Sequence, residues 1–69
     1  MRNLLERLKP EHKAKLKELE RYYPSTIHSI YSVLSNTYFF TEVTFGVSAT
    51  ICSHLDFELT DFMYLFDEK

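Results

Sequence analysis

From Tyr22 to Glu68 the chain contains no lysine and no arginine. Tryptophan is absent, glycine and cysteine occur once each, and proline only twice. Each shortage excludes something. A cation-free stretch of 47 residues cannot neutralise phosphates, which is where most nucleic-acid affinity comes from. A single glycine, Gly46, leaves no Gly-rich loop to cradle a nucleotide. The lone Cys52 has no internal partner for a disulfide, as befits a reducing compartment. No run approaches the ~20 apolar residues of a membrane span, and the charged N-terminus lacks the apolar heart of a signal peptide. These absences predict one soluble, cytoplasmic domain over residues 1–69, with no membrane association.

What is present is unevenly placed. Residues 1–21 hold seven cations (Arg2, Arg7, Lys9, Lys13, Lys15, Lys17, Arg21) against Glu6, Glu11, Glu18 and Glu20, a balance of +3. Residues 22–69 hold Lys69 against Glu42, Asp56, Glu58, Asp61, Asp67 and Glu68, a balance of −5. Eight of the eleven Tyr and Phe residues follow Thr37: Tyr38, Phe39, Phe40, Phe45, Phe57, Phe62, Tyr64 and Phe66. A chain this short buries only about 60% of its unfolded surface. Some of these rings are therefore expected at the surface, where aromatic patches mark protein partners.

The apolar spacing predicts an all-α domain of four to five short helices. Leu4, Leu5 and Leu8 form a first stripe, and Pro10 fits the opening turn of the next helix. Residues 10–22 carry Ala14, Leu16 and Leu19 among charges, followed by Tyr23, with Glu11 and Lys15 one turn apart; Pro24 then stops the helix. Ser25 or Thr26 can cap a helix in which Ile27, Ile30, Tyr31 and Leu34 share one face, and Asn36 suits its end. Residues 41–52 are ambiguous. Val43, Phe45, Val47, Ala49 and Ile51 alternate with smaller or polar residues as in a strand, but such a strand would span ~36 Å with no second strand to pair with. Phe45, Ala49, Cys52 and Leu55 also share a helical face, with Ile51 beside them and Thr44 as a cap, and helix is the preferred reading. Leu59, Phe62, Met63 and Phe66 complete the set with a final helix.

Residues 44–62 read Thr-Phe-Gly-Val-Ser-Ala-Thr-Ile-Cys-Ser-His-Leu-Asp-Phe-Glu-Leu-Thr-Asp-Phe. This resembles the closing two helices of Cro/repressor-type (XRE) helix-turn-helix domains, with Ile51, Cys52, Leu55, Asp56, Phe57, Leu59, Asp61 and Phe62 in the patterned places. The resemblance covers about a quarter of the chain. Extended upstream, it implies a degenerate helix-turn-helix at about 25–43, with Thr26 to Leu34 as supporting helix and Asn36 to Val43 as recognition helix. The departures are large. The supporting helix lacks the family's opening Gln and its close-packing Ala. The recognition segment reads Asn-Thr-Tyr-Phe-Phe-Thr-Glu-Val, in which Asn36 and Thr37 suit base edges while the three aromatics do not. Glu42 would meet phosphate with the wrong sign.

The resemblance thus implies a regulatory context, whereas the residues argue against operator reading. The temperate-phage antirepressors reconcile the two: short modulators that bind a repressor and block its DNA binding, acting in the host bacterial cytoplasm. On that expectation Asn36, Thr37, Tyr38, Phe39, Phe40 and Glu42 form a protein-binding surface. A Cro-like repressor is the alternative, with Lys13, Lys15 and Lys17 facing phosphates. A small self-associating helical adaptor is the second. The plainer accounts are that the cations solvate a helix and that some of the aromatics are core.

Neither catalysis nor a bound group is expected. Cys52 and His54 are spaced Cys-x-His without the paired ligands of a zinc site, and Cys52, His54 and Asp56 at successive i, i+2 positions point apart on a helix. The sequence thus gives no reason to expect an enzyme, a cofactor, a metal or a small-molecule substrate.

Overall fold

The computed structural model describes residues 2–67, and it is all-helical. Four α-helices, α1 (Leu4–Arg7), α2 (Pro10–Leu19), α3 (Pro24–Ser35) and α4 (Phe45–Leu55), are joined by two 3₁₀ segments, Phe40–Glu42 and Leu59–Leu65. The radius of gyration is 10.9 Å, close to the ~11 Å of a chain this long packed around one core. That core gathers twelve buried residues from every α-helix and from the C-terminal segment.

Helix α1 exists because its ends are closed. Asn3 Oδ1 accepts from the Glu6 amide at 2.9 Å, and Glu6 Oε2 accepts from the Asn3 amide at 3.2 Å, a reciprocal cap. The Leu4 amide reaches across to the Thr37 carbonyl at 2.8 Å, and Asn3 Nδ2 donates to the Ser35 carbonyl at 3.0 Å. The first helix is thereby tied to the end of α3. Leu4 and Leu8 are fully buried.

Pro10 does open α2. Leu16 is the one fully buried side chain of this helix, with Leu19 half-buried, while Ala14 and Tyr23 are exposed. Pro24 also opens a helix, α3, instead of closing the one before it. The first turn of α3 therefore begins before Ser25 and Thr26, and neither acts as its cap. Ile27, Ile30 and Leu34 are buried as the spacing predicts, with Tyr31 half-buried. Asn36 ends α3, at φ −107°, outside the left-handed region.

Residues 45–55 are helix. Thr44 Oγ1 caps α4 by accepting from the Val47 amide at 3.3 Å. The buried face is Ser48, Ile51, Cys52 and Leu55, whereas Phe45 and Ala49 point outward. The buried face thus keeps Ile51, Cys52 and Leu55 and is turned by roughly half of one residue's ~100°, which exchanges Phe45 and Ala49 for Ser48. Asp56 supplies the left-handed end, at φ 59°, and the Phe57 amide closes it on the Cys52 carbonyl at 2.9 Å. Asp tolerates that conformation better than most side chains.

The recognition helix expected at 36–43 is not an α-helix. After Asn36 residues 37–38 are irregular, Phe39 is extended, one three-residue 3₁₀ turn follows, and the chain is extended again at Val43. Thr37 forces this course: it is buried, its Oγ1 donates to the Val33 carbonyl at 2.6 Å and its own carbonyl is taken by Leu4. The helix-turn-helix placed at about 25–43 therefore has its supporting helix and no second one.

The final element is 3₁₀, not α, and this changes its buried set. At three residues per turn, Leu59, Phe62 and Leu65 fall in line; Leu65 is fully buried and Met63 is 53% exposed. The chain then pairs back on the N-terminal strap through an isolated antiparallel bridge between Leu8 and Phe66. The Lys9 amide donates to the Leu65 carbonyl at 3.0 Å and the Asp67 amide to the Arg7 carbonyl at 2.7 Å.

Candidate protein-binding surface

Consecutive aromatics point in different directions unless the backbone is regular, and at 38–40 it is not. Phe40 turns in and stacks against Phe66 and Phe62, with centroids 5.4 and 6.3 Å away. The Arg7 guanidinium covers it from outside, 5.1 Å from the ring centre. Tyr38 and Phe39 turn out and are 40% and 53% exposed. Of the three rings, one is half-buried against the core and two are exposed.

Glu42 has a different place from the one expected. Its Oε1 accepts from the backbone amides of both Tyr38 and Phe39, at 3.1 and 3.2 Å. The carboxylate folds back on its own loop and satisfies two donors that no helix or strand would satisfy. It positions the aromatics while the residue itself remains exposed. Thr37 is a buried anchor and not a contact. Asn36 is exposed, its Nδ2 donating to the Ser32 carbonyl at 2.8 Å. The six candidate residues thus divide: Asn36, Tyr38, Phe39 and Glu42 are exposed, Phe40 is half-buried and Thr37 is buried.

Other exposed apolar side chains lay outside the predicted set. Phe45 is 75% exposed at the start of α4. Tyr22 and Tyr23 are exposed in the turn after α2, with Tyr23 edge-on to His54 at 5.3 Å. Met63 and Tyr64 project from the C-terminal 3₁₀ turn. Counting rings after Thr37 signalled that some would be exposed, but only the local backbone decides which.

The three lysines offered as a phosphate face do not form one. All are exposed on α2; Lys13 and Lys17 lie one turn apart, and Lys15 points ~200° away from Lys13. Cys52 is buried, and burial first, then the Asp61 charge, pushes its thiol above the ordinary value. His54 Nδ1 lies 2.9 Å from the Thr50 carbonyl, and Asp56 is exposed at the helix end. These three groups face apart. Among the described residues no three His, Cys, Asp or Glu side chains gather as metal ligands, and no helix is long and apolar enough to cross a membrane.

The one ion pair within 4.0 Å among the described residues, His28 to Glu20 at 2.8 Å, is largely solvent-exposed. It contributes little to stability. Tyr31, near Glu20, has its hydroxyl pushed up by burial and then by that carboxylate.

No family model, curated protein or solved structure matches the chain.

Proposed function

We propose that the chain is a small protein-binding regulator of the antirepressor type, which docks on a helix-turn-helix repressor in the cytoplasm and blocks its DNA binding. The observation that carries this reading is the clamped loop: Tyr38 and Phe39 stand exposed on a backbone fixed by Glu42. Exposed aromatics on a preorganised loop lose little side-chain freedom on binding, the property that makes such residues interface anchors. The setting is also short of cations, since neither α3 nor α4 carries a lysine or arginine. Glu42 supplies charge of the opposite sign to a basic repressor surface there, while Arg7 over Phe40 is the cation nearest by.

Direct operator reading has less to support it. Major-groove readers lay a helix or a two-stranded ribbon in the groove, and residues 36–43 offer one three-residue turn. The cations that exist are interleaved with Glu11, Glu18 and Glu20 on α2.

The test is a gel-shift titration with DNA from the chain's own locus and a repressor encoded beside it. The protein alone should leave the DNA unshifted, and should release repressor-bound DNA at near-stoichiometric ratio. The double variant Tyr38→Ala/Phe39→Ala should need at least ~10-fold more protein, the equivalent of losing one interface anchor. A salt-sensitive shift of DNA by the protein alone would instead make it a DNA binder. Inactivity in both arms would leave the self-associating adaptor.

A further inference from the structure

A second surface, unlike the first in charge, lies where the two ends of the chain meet. Arg2, Arg7 and Lys9 line a groove of about 650 Å³ together with Phe40, Met63 and Tyr64. Phe66 is buried beneath it, and among the described residues Asp67 contributes the one carboxylate. Tyr38 and Phe39 do not line it.

We propose that this groove is a docking site for an acidic peptide segment of a partner protein, one in which carboxylates flank an apolar side chain. It goes beyond the repressor-docking reading and does not rest on it.

Three arguments carry the proposal. The first is charge: three cations face one anion here, on a chain whose net charge is −2. The chain's field is thus locally reversed, and an anionic segment is drawn to this place and repelled from the acidic second half. The second is the state of Arg7. Its Nη2 donates to the Asp67 carbonyl at 3.0 Å, its Nε is buried out of a ligand's reach, and Phe40 supports the guanidinium carbon 5.1 Å from the ring centre, so the outer Nη groups are the ones offered to a ligand. A guanidinium with five donors, fixed in orientation and only partly paired, is preorganised for a carboxylate. The third is the lining between the cations. Met63 and Tyr64 are both more than half exposed, and a flexible thioether beside an aromatic ring accommodates varied apolar side chains.

A nucleic-acid strand would also meet cations and rings. It needs a track of successive phosphate contacts, however, and here three cations and a carboxylate share one short groove. A peptide needs only one or two ion pairs around an apolar anchor.

The experiment is a fluorescence-anisotropy titration of the full chain with a labelled peptide of about eight residues alternating Glu and Leu, at low salt. A Gln–Leu peptide and an oligothymidylate of similar length are run beside it. The Glu–Leu peptide should bind, and the Gln–Leu peptide at least ~10-fold more weakly. Lys9→Glu, and separately Arg2→Glu, should weaken the Glu–Leu peptide by a similar factor while circular dichroism stays that of the parent. Tyr38→Ala/Phe39→Ala should leave it unchanged, so that failure here and failure of repressor docking are told apart. Absence of Glu–Leu binding, equal affinity for Gln–Leu, or indifference to both charge reversals overturns the proposal. Tighter, Lys9-dependent binding of oligothymidylate overturns it too, in favour of nucleic acid.

Discussion

Two segments of this chain are built from similar material and end up opposite. Residues 38–42 and 59–66 are both rich in aromatics, both contain a carboxylate and both turn in a 3₁₀ helix. The first shows two of its rings to solvent, whereas the second supplies Phe62, Leu65 and Phe66 to the core. Composition does not distinguish them; spacing does. Leu59, Phe62 and Leu65 recur every third residue, so a 3₁₀ turn stacks them on one side. Tyr38, Phe39 and Phe40 are contiguous, so whichever ring enters the core sends its neighbours elsewhere. The three-residue period fixes which side chains of 59–65 enter the core and leaves Met63 and Tyr64 outside it, whereas the contiguous rings at 38–40 have no such period and only Phe40 turns inward.

The largest effect expected from that contrast is at Leu65. Leu65→Ala removes a fully buried side chain at a cost of about 2–5 kcal/mol, comparable to the whole stability of a domain this small. Cooperative urea unfolding followed by far-UV circular dichroism should be lost or shifted to very low denaturant. A near-parental midpoint would mean that the 3₁₀ segment is not part of the core. A middling effect is expected at Glu42. Glu42→Ala strands two amides that its Oε1 now satisfies, at about 1 kcal/mol. It should speed hydrogen exchange of the Tyr38 and Phe39 amides several-fold more than Glu42→Gln, which keeps an acceptor oxygen. Equal exchange in both variants would show that the carboxylate does not hold the loop. The smallest effect is expected where the rings are exposed. Tyr38→Ala and Phe39→Ala should each change stability by less than about 0.5 kcal/mol, and a loss near that of Leu65→Ala would erase the distinction between the two segments.

Local rules recovered a good part of this architecture from the sequence. The opening of α2 at Pro10, the Thr44 cap and the face of α3 all follow from nearest-neighbour chemistry, which the sequence displays directly. The preference for helix over strand at 41–52 rests on a tertiary argument, the lack of any pairing strand, and the chain is α-helical there from Phe45 onward, with Val43 extended and Thr44 as the cap. Helix rotation was less legible. Phe45, Ala49, Cys52 and Leu55 make as good a stripe as Ser48, Ile51, Cys52 and Leu55 if hydrophobicity alone is counted. The second stripe is the buried one, and it places a serine, 8% exposed, in the interior. The C-terminal segment carried two patterns at once, and the 3.6-residue pattern through Met63 and Phe66 concealed the three-residue pattern through Leu65.

The candidate surface was legible as a neighbourhood only. Tyr38 and Phe39 stand where a partner can reach them, but Thr37 and Glu42 are fixed by hydrogen bonds that no spacing rule anticipates. Thr37 bonds to Val33 and Leu4, and Glu42 turns back on its own backbone. The cationic groove was still less visible. Arg7 and Asp67 are separated by 60 positions, and only the pairing of the chain's two ends makes them neighbours.

That pairing has a consequence for the order in which the molecule is completed. Residues 3–9 are held on one side by Ser35 and Thr37, at the root of the aromatic loop, and on the other by Leu65 and Asp67. The first helix is thus a clasp whose second half is supplied by the last described residues. During synthesis α2, α3 and α4 can begin to associate as they emerge, but the clasp cannot close until the stretch through Asp67 has been made. Closure at such a long sequence separation is a slow kind of step. Residues 3–9 are thus shared between the root of the aromatic loop and the C-terminal 3₁₀ segment, so a substitution that loosens the strap acts on both surfaces at once.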